Sequence, residues 1–257
     1  MPIGDEISLM RWSLSHTVTR ACAWLKGCGR RSRLVAVWAA LLLTVSQPQA
    51  GDAERMQQAA QRQGANAVAG VKALQSVMSA SSGLDDDGRL QVINQFFNRR
   101  IQFRDDAEVW GQPDYWASPL ELLEKGQGDC EDYVIGKYFS LLAMGMPTAK
   151  LRLVYVRAQL GGAGGTVQAH MVLAYYPSLA ASAVNAGTGI PQAEPLILDN
   201  LITDIRPASR RPDLSPVFSF NSEGLWQGVN GVADGDPLVR LSRWREVVNK
   251  ARAEGFL

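Results

Sequence analysis

Histidine and cysteine are the scarcest reactive residues in this chain. Its 257 residues include three Cys and two His. Cys22, Cys28 and His16 lie in the first fifty residues, so only Cys130 and His170 stand beyond them. One Cys closes no internal disulfide, and one Cys with one His cannot furnish the four ligands of a structural zinc site. An excess of charge of one sign is also missing. The 26 Lys and Arg balance 25 Asp and Glu, for a formal charge of +1. That gives no basic field for binding nucleic acid. A long hydrophobic run is lacking as well. The apolar stretch Leu34 to Val45 spans 12 residues, well short of the roughly 20 of a membrane-spanning helix. What is present, 46% hydrophobic and 20% charged residues, is an ordinary globular composition.

The short run has a context. Arg20, Lys26, Arg30, Arg31 and Arg33 precede it, and Ser-Gln-Pro-Gln-Ala follows it, ending at Ala50. Positive segment, short apolar segment and terminal small residue are the order of a secretory signal. Residues 1–50 are therefore read as a signal peptide and 51–257 as a single domain. The chain is expected to be exported, with no stable membrane insertion once the signal is gone. The first fifty residues take six Lys and Arg and two Asp and Glu with them, leaving 20 basic and 23 acidic side chains, or −3 net. An unpaired thiol in an exported protein is a candidate nucleophile.

Periodicity places the elements. Residues 53–80 read as a helix interrupted or bent near Gly64 and Gly70. Asp85-Asp86-Asp87-Gly88 lacks the ligand spacing of a calcium-binding EF-hand and reads as a solvated turn. Residues 89–101 carry Leu90, Ile93, Phe97 and Ile101 at helical spacing. After a loop over 104–117, Ser118-Pro119-Leu120-Glu121 has the N-cap, Pro and Glu of a helix start. Gly126 to Asp129 is a break, and a further helix is predicted over 130–144. The period then changes to that of strands: 151–157 and 167–176 form a hairpin, 195–199 is a third strand, and 217–220 and 225–227 are short ones. Residues 180–193 read as a surface loop, and 238–253 as a terminal helix with Trp244, Val247 and Val248 inward. Helices first, then an antiparallel sheet, make an α+β fold.

Cys130 falls where the glycine-rich break meets a helix N-terminus, whose free N–H groups stabilise a thiolate. His170, in a strand, is the one imidazole available as its base. Asp199 ends the third strand, where a carboxylate can accept from the imidazole and fix its tautomer. Asp129, Glu131 and Asp132 oppose this arrangement, because like charges disfavour a thiolate. A bound cation would remove the conflict, and an oxygen-only ligand set selects calcium. Acidic capping of the helix accounts for the same residues. On chemistry alone the two readings stand level.

Gly-Asp-Cys-Glu-Asp-Tyr at 128–133, Ala-His-Met-Val-Leu at 169–173, Leu-Asp-Asn at 198–200 and Asp-Tyr-Trp-Ala-Ser-Pro at 114–119 resemble the bacterial transglutaminase-like cysteine proteinases, more narrowly the LapG-type periplasmic proteases. The resemblance covers roughly residues 94–202. It implies a papain-like fold with Cys130 as nucleophile, His170 as base and Asp199 as orienter. It implies calcium dependence, with Asp129 and Glu131 as the best-matched ligands and Asp132 as a further one. By analogy with transglutaminases, Trp116 is a candidate oxyanion donor beside the backbone N–H of Cys130, and Trp110 could equally supply the indole. The implied substrate is the N-terminal region of a large surface adhesin, cut near a di-alanine sequence to release the adhesin and disperse biofilm. The implied regulator is an inner-membrane cyclic di-GMP receptor of the LapD type. A transglutaminase-type acyl transferase would use the same three residues. A calcium-dependent binding module and a cell-wall peptidase on the same scaffold are the remaining alternatives.

Overall fold

A computed structural model describes residues 49–162, 164–177, 194–228 and 234–257. The signal reading and the loop predicted over 180–193 thus lie essentially outside the described residues. The chain opens with α1 (Gln49–Gln63) and α2 (Ala65–Ala80). Of the two readings, the interruption holds at Gly64, whose φ of 154° suits glycine. Glu124 explains the break: its carboxylate accepts the Ala67 N–H at 2.7 Å, capping α2, and occupies the space that a Cβ on residue 64 would need. Gly70 does not bend the chain. It lies inside α2, pressed on Leu123.

Helix α3 (Asp86–Arg100) starts earlier than its apolar periodicity indicates, because Asp85 caps it by accepting from the Gly88 N–H at 2.9 Å. The acidic triple is therefore not a solvated turn. Asp86 accepts from Lys150 at 2.6 Å and from the Tyr175 hydroxyl at 2.7 Å, tying the start of α3 to the sheet. The loop that follows contains a two-residue strand, β1 (Gln102–Phe103), and a short helix, α4 (Asp106–Val109). Helix α5 (Pro119–Lys125) begins with the predicted capping box, Ser118 and Glu121 reciprocally bonded. In the break before Cys130, β2 (Gln127–Gly128) pairs in parallel with β1, and α6 (Cys130–Ala143) follows.

The remaining strands are β3 (Leu151–Leu160), β4 (Thr166–Tyr175), β5 (Leu196–Leu198), β6 (Arg206–Pro207), β7 (Leu214–Phe220) and β8 (Leu225–Gln227). They form one antiparallel sheet in the order β6-β5-β4-β3-β7-β8. Alternation along the strands gives each face a core. Leu151, Leu153, Leu173, Leu198 and Phe220 join the main core with the helices, while Val154, Val156, Val172, Ala174 and Ile197 make a smaller one on the other face. The terminal helical stretch breaks at Leu241 into Pro237–Arg240 and Ser242–Ala253. Trp244, Val247 and Val248 are buried as predicted. No helix among the described residues is long and apolar enough to cross a membrane.

Candidate active site

The sheet register assembles one half of the site. Leu173 of β4 pairs with Leu198 of β5, which brings Asp199, one residue further on, beside the strand that carries His170. Nε2 of His170 lies 2.8 Å from Oδ1 of Asp199, and both residues are buried, at 4% and 0% exposure. With Nε2 so engaged, Nδ1 is the nitrogen left for chemistry. Both oxygens of Asp199 are satisfied. Oδ1 also accepts the Leu201 N–H at 3.0 Å, and Oδ2 accepts Arg211 at 2.7 Å. Burial pushes the Asp199 carboxyl up. The bond to His170, its charge, the Leu201 N–H and Arg211 outweigh that and hold it at about 2. Arg211 continues to Asp213 at 2.7 Å. Asn98 of α3 donates to the Asp199 carbonyl at 2.7 Å, fixing the strand end from the helix side.

Helix α6 supplies the other half. Cys130 is its first residue and is half-buried. The backbone N–H of Met171, the residue after His170, donates to its sulfur, so Cys130 lies against the histidine strand. The helix N-terminus is not the only influence on the thiol of Cys130. The thiol donates to Glu131 Oε2 at 3.0 Å, and burial, Glu131 and Asp129 together push it far up.

The acidic residues around Cys130 extend beyond the sequence prediction. Asp106 of α4 and Asp114 of the following loop converge on Asp129, Glu131 and Asp132. Ligand oxygens of Asp106, Asp114 and Glu131 lie within 4.8 Å of one another, as do those of Asp106, Asp129 and Asp132. One oxygen on each of Asp106, Asp114, Asp129 and Asp132 is buried without a hydrogen-bond partner. Burial first, then mutual repulsion, raises Asp106 to about 6 and Asp129 to about 10, and burial raises Asp132 well above the usual range. The second oxygen of Asp132 does have a partner, the Ala117 N–H at 2.8 Å. Gly128 leaves room for that carboxylate, because a Cβ there would lie 2.5 Å from Asp132 Oδ2. The Cys130 sulfur lies within 4.8 Å of the Asp129 and Glu131 oxygens, but the orphaned atoms are all carboxylate oxygens, which suit a hard cation that takes six to eight oxygen ligands. Asp106 and Asp114 sit in a loop without periodicity. The only sequence signal for them was the density of carboxylates just upstream of the nucleophile.

The loop that carries Asp114 and Trp116 is held by the terminal helix. Lys250 donates to the Tyr115 hydroxyl at 2.9 Å and to Glu121 at 3.1 Å, and Arg243 pairs with Asp114 at 3.0 Å. Glu254 accepts from Ser118 Oγ and from the Leu120 N–H. Of the two candidate indoles, Trp116 stacks on Phe220 with ring centroids 5.8 Å apart. Trp110 packs on Tyr115 at 4.3 Å, beneath the Lys125 ammonium, and its Nε1 is buried without a partner.

Comparison with known proteins matches this arrangement to a family. Residues 61–176 fit the model of the bacterial transglutaminase-like cysteine proteinases. Legionella pneumophila LapG in its EGTA-treated form is 35% identical, over 77% of this chain and 97% of that one, with a TM-score of 0.63. The chain belongs to the bacterial transglutaminase-like cysteine proteinases. A second Legionella pneumophila LapG structure is 34% identical with a TM-score of 0.62, at the same coverage. A calcium-bound LapG structure is 35% identical over 77% and 98% of the two chains, also with a TM-score of 0.62. A search of curated proteins gives no match. Family membership settles the fold class as the transglutaminase-like α+β fold of these cysteine proteinases.

Proposed function

We propose that this cysteine proteinase is a calcium-dependent periplasmic endopeptidase. It is exported by residues 1–50, carries its activity in a single domain over 51–257, and cleaves the N-terminal region of a large surface adhesin. The observation that carries the reading is the adjacency of two unlike sites. The buried His170–Asp199 couple sits on the strand whose Met171 N–H reaches Cys130, and a cluster of five carboxylates, four of them with one oxygen buried and unpartnered, flanks the same cysteine. Similarity to LapG, solved both calcium-bound and EGTA-treated, supports the cation.

Cys130 is the nucleophile. His170 takes its proton at Nδ1 while Asp199 holds Nε2 and stabilises the imidazolium. The sulfur attacks the scissile carbonyl. The developing oxyanion accepts from the backbone N–H of Cys130, a helix-terminal donor with no intrahelical partner, and from the Trp116 indole. His170 then protonates the leaving amine. A water deprotonated by the same imidazole hydrolyses the thioester and restores the thiol. Asp106, Asp114, Asp129, Glu131 and Asp132 would hold the calcium. When bound, it supplies positive charge that offsets the repulsion these carboxylates exert on a thiolate. Adhesin release would disperse biofilm, and an inner-membrane cyclic di-GMP receptor of the LapD type would sequester the protease.

The test mixes the 51–257 chain with the N-terminal fragment of a large adhesin from the same genome, with calcium or EGTA, and weighs the products. One cut that EGTA stops is the expected result. A product mass showing amine incorporation would instead make the protein an acyl transferase. No product in either buffer would remove this substrate.

A further inference from the structure

Strand β4 is paired along its whole length on one side only. On that side Leu151 to Leu160 of β3 face Tyr175 to Thr166 in an unbroken antiparallel register. On the other side β5 is three residues long and reaches only Leu173, Ala174 and Tyr175. Two bonds fix which main-chain groups point which way. The Tyr176 N–H donates to the Lys150 carbonyl, on the β3 side, at 2.8 Å. The Gln159 N–H, opposite Val167, turns away from β4 to the Asp213 carbonyl at 2.9 Å. The N–H and C=O groups of the even-numbered residues of β4 therefore face β3, and those of Val167, Ala169, Met171 and Leu173 face the other side. There Leu173 lies opposite Leu198 of β5, and the Met171 N–H meets the Cys130 sulfur. The outward groups of Ala169 and Val167 meet no partner among the described residues.

Natural sheets blunt their edges with short strands, charge or proline, because free ladder groups template pairing with another chain. The two ends of this sheet follow that rule. Strand β6 is Arg206 and Pro207 alone, and β8 has three residues. Thr166-Val167-Gln168-Ala169 has neither charge nor proline. All four residues are exposed, Val167 by 61%, up to the point where His170 is buried. An unprotected hydrogen-bonding edge thus runs directly to the sulfur.

We infer that the substrate is held as an added strand: an extended stretch of adhesin main chain beside the scissile bond pairs with Val167 and Ala169 on the open edge of β4. The inference rests on the protease reading proposed above, with Cys130 as nucleophile. Alternate residues of a strand are about 6.7 Å apart. The sulfur stands at Met171, one such step beyond Ala169, so a strand bonded at Ala169 carries a carbonyl to it within one or two residues. In this mode main-chain hydrogen bonds supply the affinity. The edge therefore selects an extended flank over a helical one, tolerates varied side chains, and requires a free N–H at every second residue of the substrate.

The test uses the 51–257 chain with calcium and a synthetic peptide that spans the cut in the adhesin fragment. Each amide of the peptide in turn is replaced by an ester, which removes one N–H and adds no bulk. On one side of the scissile bond, kcat/KM is expected to fall about fivefold at alternate positions and to hold within about twofold at those between. Val167→Pro removes the matching donor from the protein, and an edge strand accommodates proline where the missing N–H faced outward. It is expected to lower kcat/KM about fivefold and to leave the melting temperature unchanged, with calcium and with EGTA. An ester series without alternation overturns the inference. So does a folded Val167→Pro variant with unchanged kcat/KM. If Val167→Pro fails to fold, the ester series decides alone. A wild-type chain that cuts no adhesin fragment overturns the adhesin reading and this inference with it, whereas one that cuts the peptide and ignores the esters overturns the inference alone.

Discussion

Two groups of buried carboxylate lie on either side of one cysteine, and the fold treats them in opposite ways. Asp199 has both oxygens engaged: His170 and the Leu201 N–H at one, Arg211 at the other. Its carboxyl is held at about 2 despite complete burial. Asp106 and Asp132 are buried and Asp129 half-buried, all without counter-charges, and each is pushed up. Burial opposes ionisation in both places. Only the supply of partners differs, and that supply separates a site complete in itself from one built around a charge the chain does not provide. The difference makes the two regions separable by experiment: changes on the paired side should damage chemistry, and changes on the unpaired side should alter the response to a cation.

The largest effect is expected on the paired side. Asp199→Asn keeps the shape but turns the hydrogen bond around, favouring the wrong imidazole tautomer. A loss of about 10³–10⁴ in kcat is expected, with KM little changed, read by steady-state cleavage of the adhesin fragment. Trp116→Phe preserves the stack on Phe220 and removes only the indole N–H. If that N–H meets the oxyanion, kcat should fall about 10²-fold. An unchanged kcat would return Trp116 to a packing role and leave the oxyanion to Cys130 and another donor.

On the unpaired side, calcium at one hundred times its dissociation constant should add about 2.7 kcal/mol, a rise of about 5–10 °C in melting temperature for a chain of this size. Asp106→Asn removes one charge from the centre of the cluster. It should raise the melting temperature in EGTA and abolish most of the further rise with calcium. Scanning calorimetry in the two buffers reads both. A variant destabilised equally in each would mean that Asp106 serves the fold rather than a cation, and the contrast between the two regions would fail.

Much of this architecture was legible in the residues because local rules wrote it. The spacing of Leu90, Ile93 and Phe97, the Ser118–Glu121 capping box and the alternation in β3 and β4 each report a short-range constraint, and each sits where it was read. The contributions that were not legible come from distant parts of the chain. Asp106 and Asp114 meet Glu131 only because the terminal helix pins their loop through Lys250 and Arg243. Arg211 reaches Asp199 from a turn with no pattern of its own. Asp86 was misread because its partners, Lys150 and Tyr175, lie far along the chain. Lys137 did leave a trace, a lone lysine in an apolar helical run. Periodicity alone cannot distinguish a lysine that reaches solvent from one sealed in the core.

The smallest effect tests how the paired side depends on pH. The carboxyl of Asp199 stands at about 2 in the fold against an ordinary value of 3.8. Its contribution to stability is therefore complete above about pH 4 and is lost as pH falls through about 2, and the shift is equivalent to about 2 kcal/mol. Arg211→Met deletes the partner at Oδ2 but leaves His170 and the Leu201 N–H at Oδ1. The carboxyl should move up toward its ordinary value without reaching it. Urea unfolding at pH 7 should then show a deficit of about 1–2 kcal/mol against wild type, the part of the contribution that Arg211 supplied. The deficit should shrink as the pH is lowered toward 3, because the wild type is by then losing the same interaction. A deficit of constant size across that range would mean that Arg211 stabilises the fold mainly through Asp213 or by packing. In that case the ionisation of Asp199 would rest on His170 and on the Leu201 N–H.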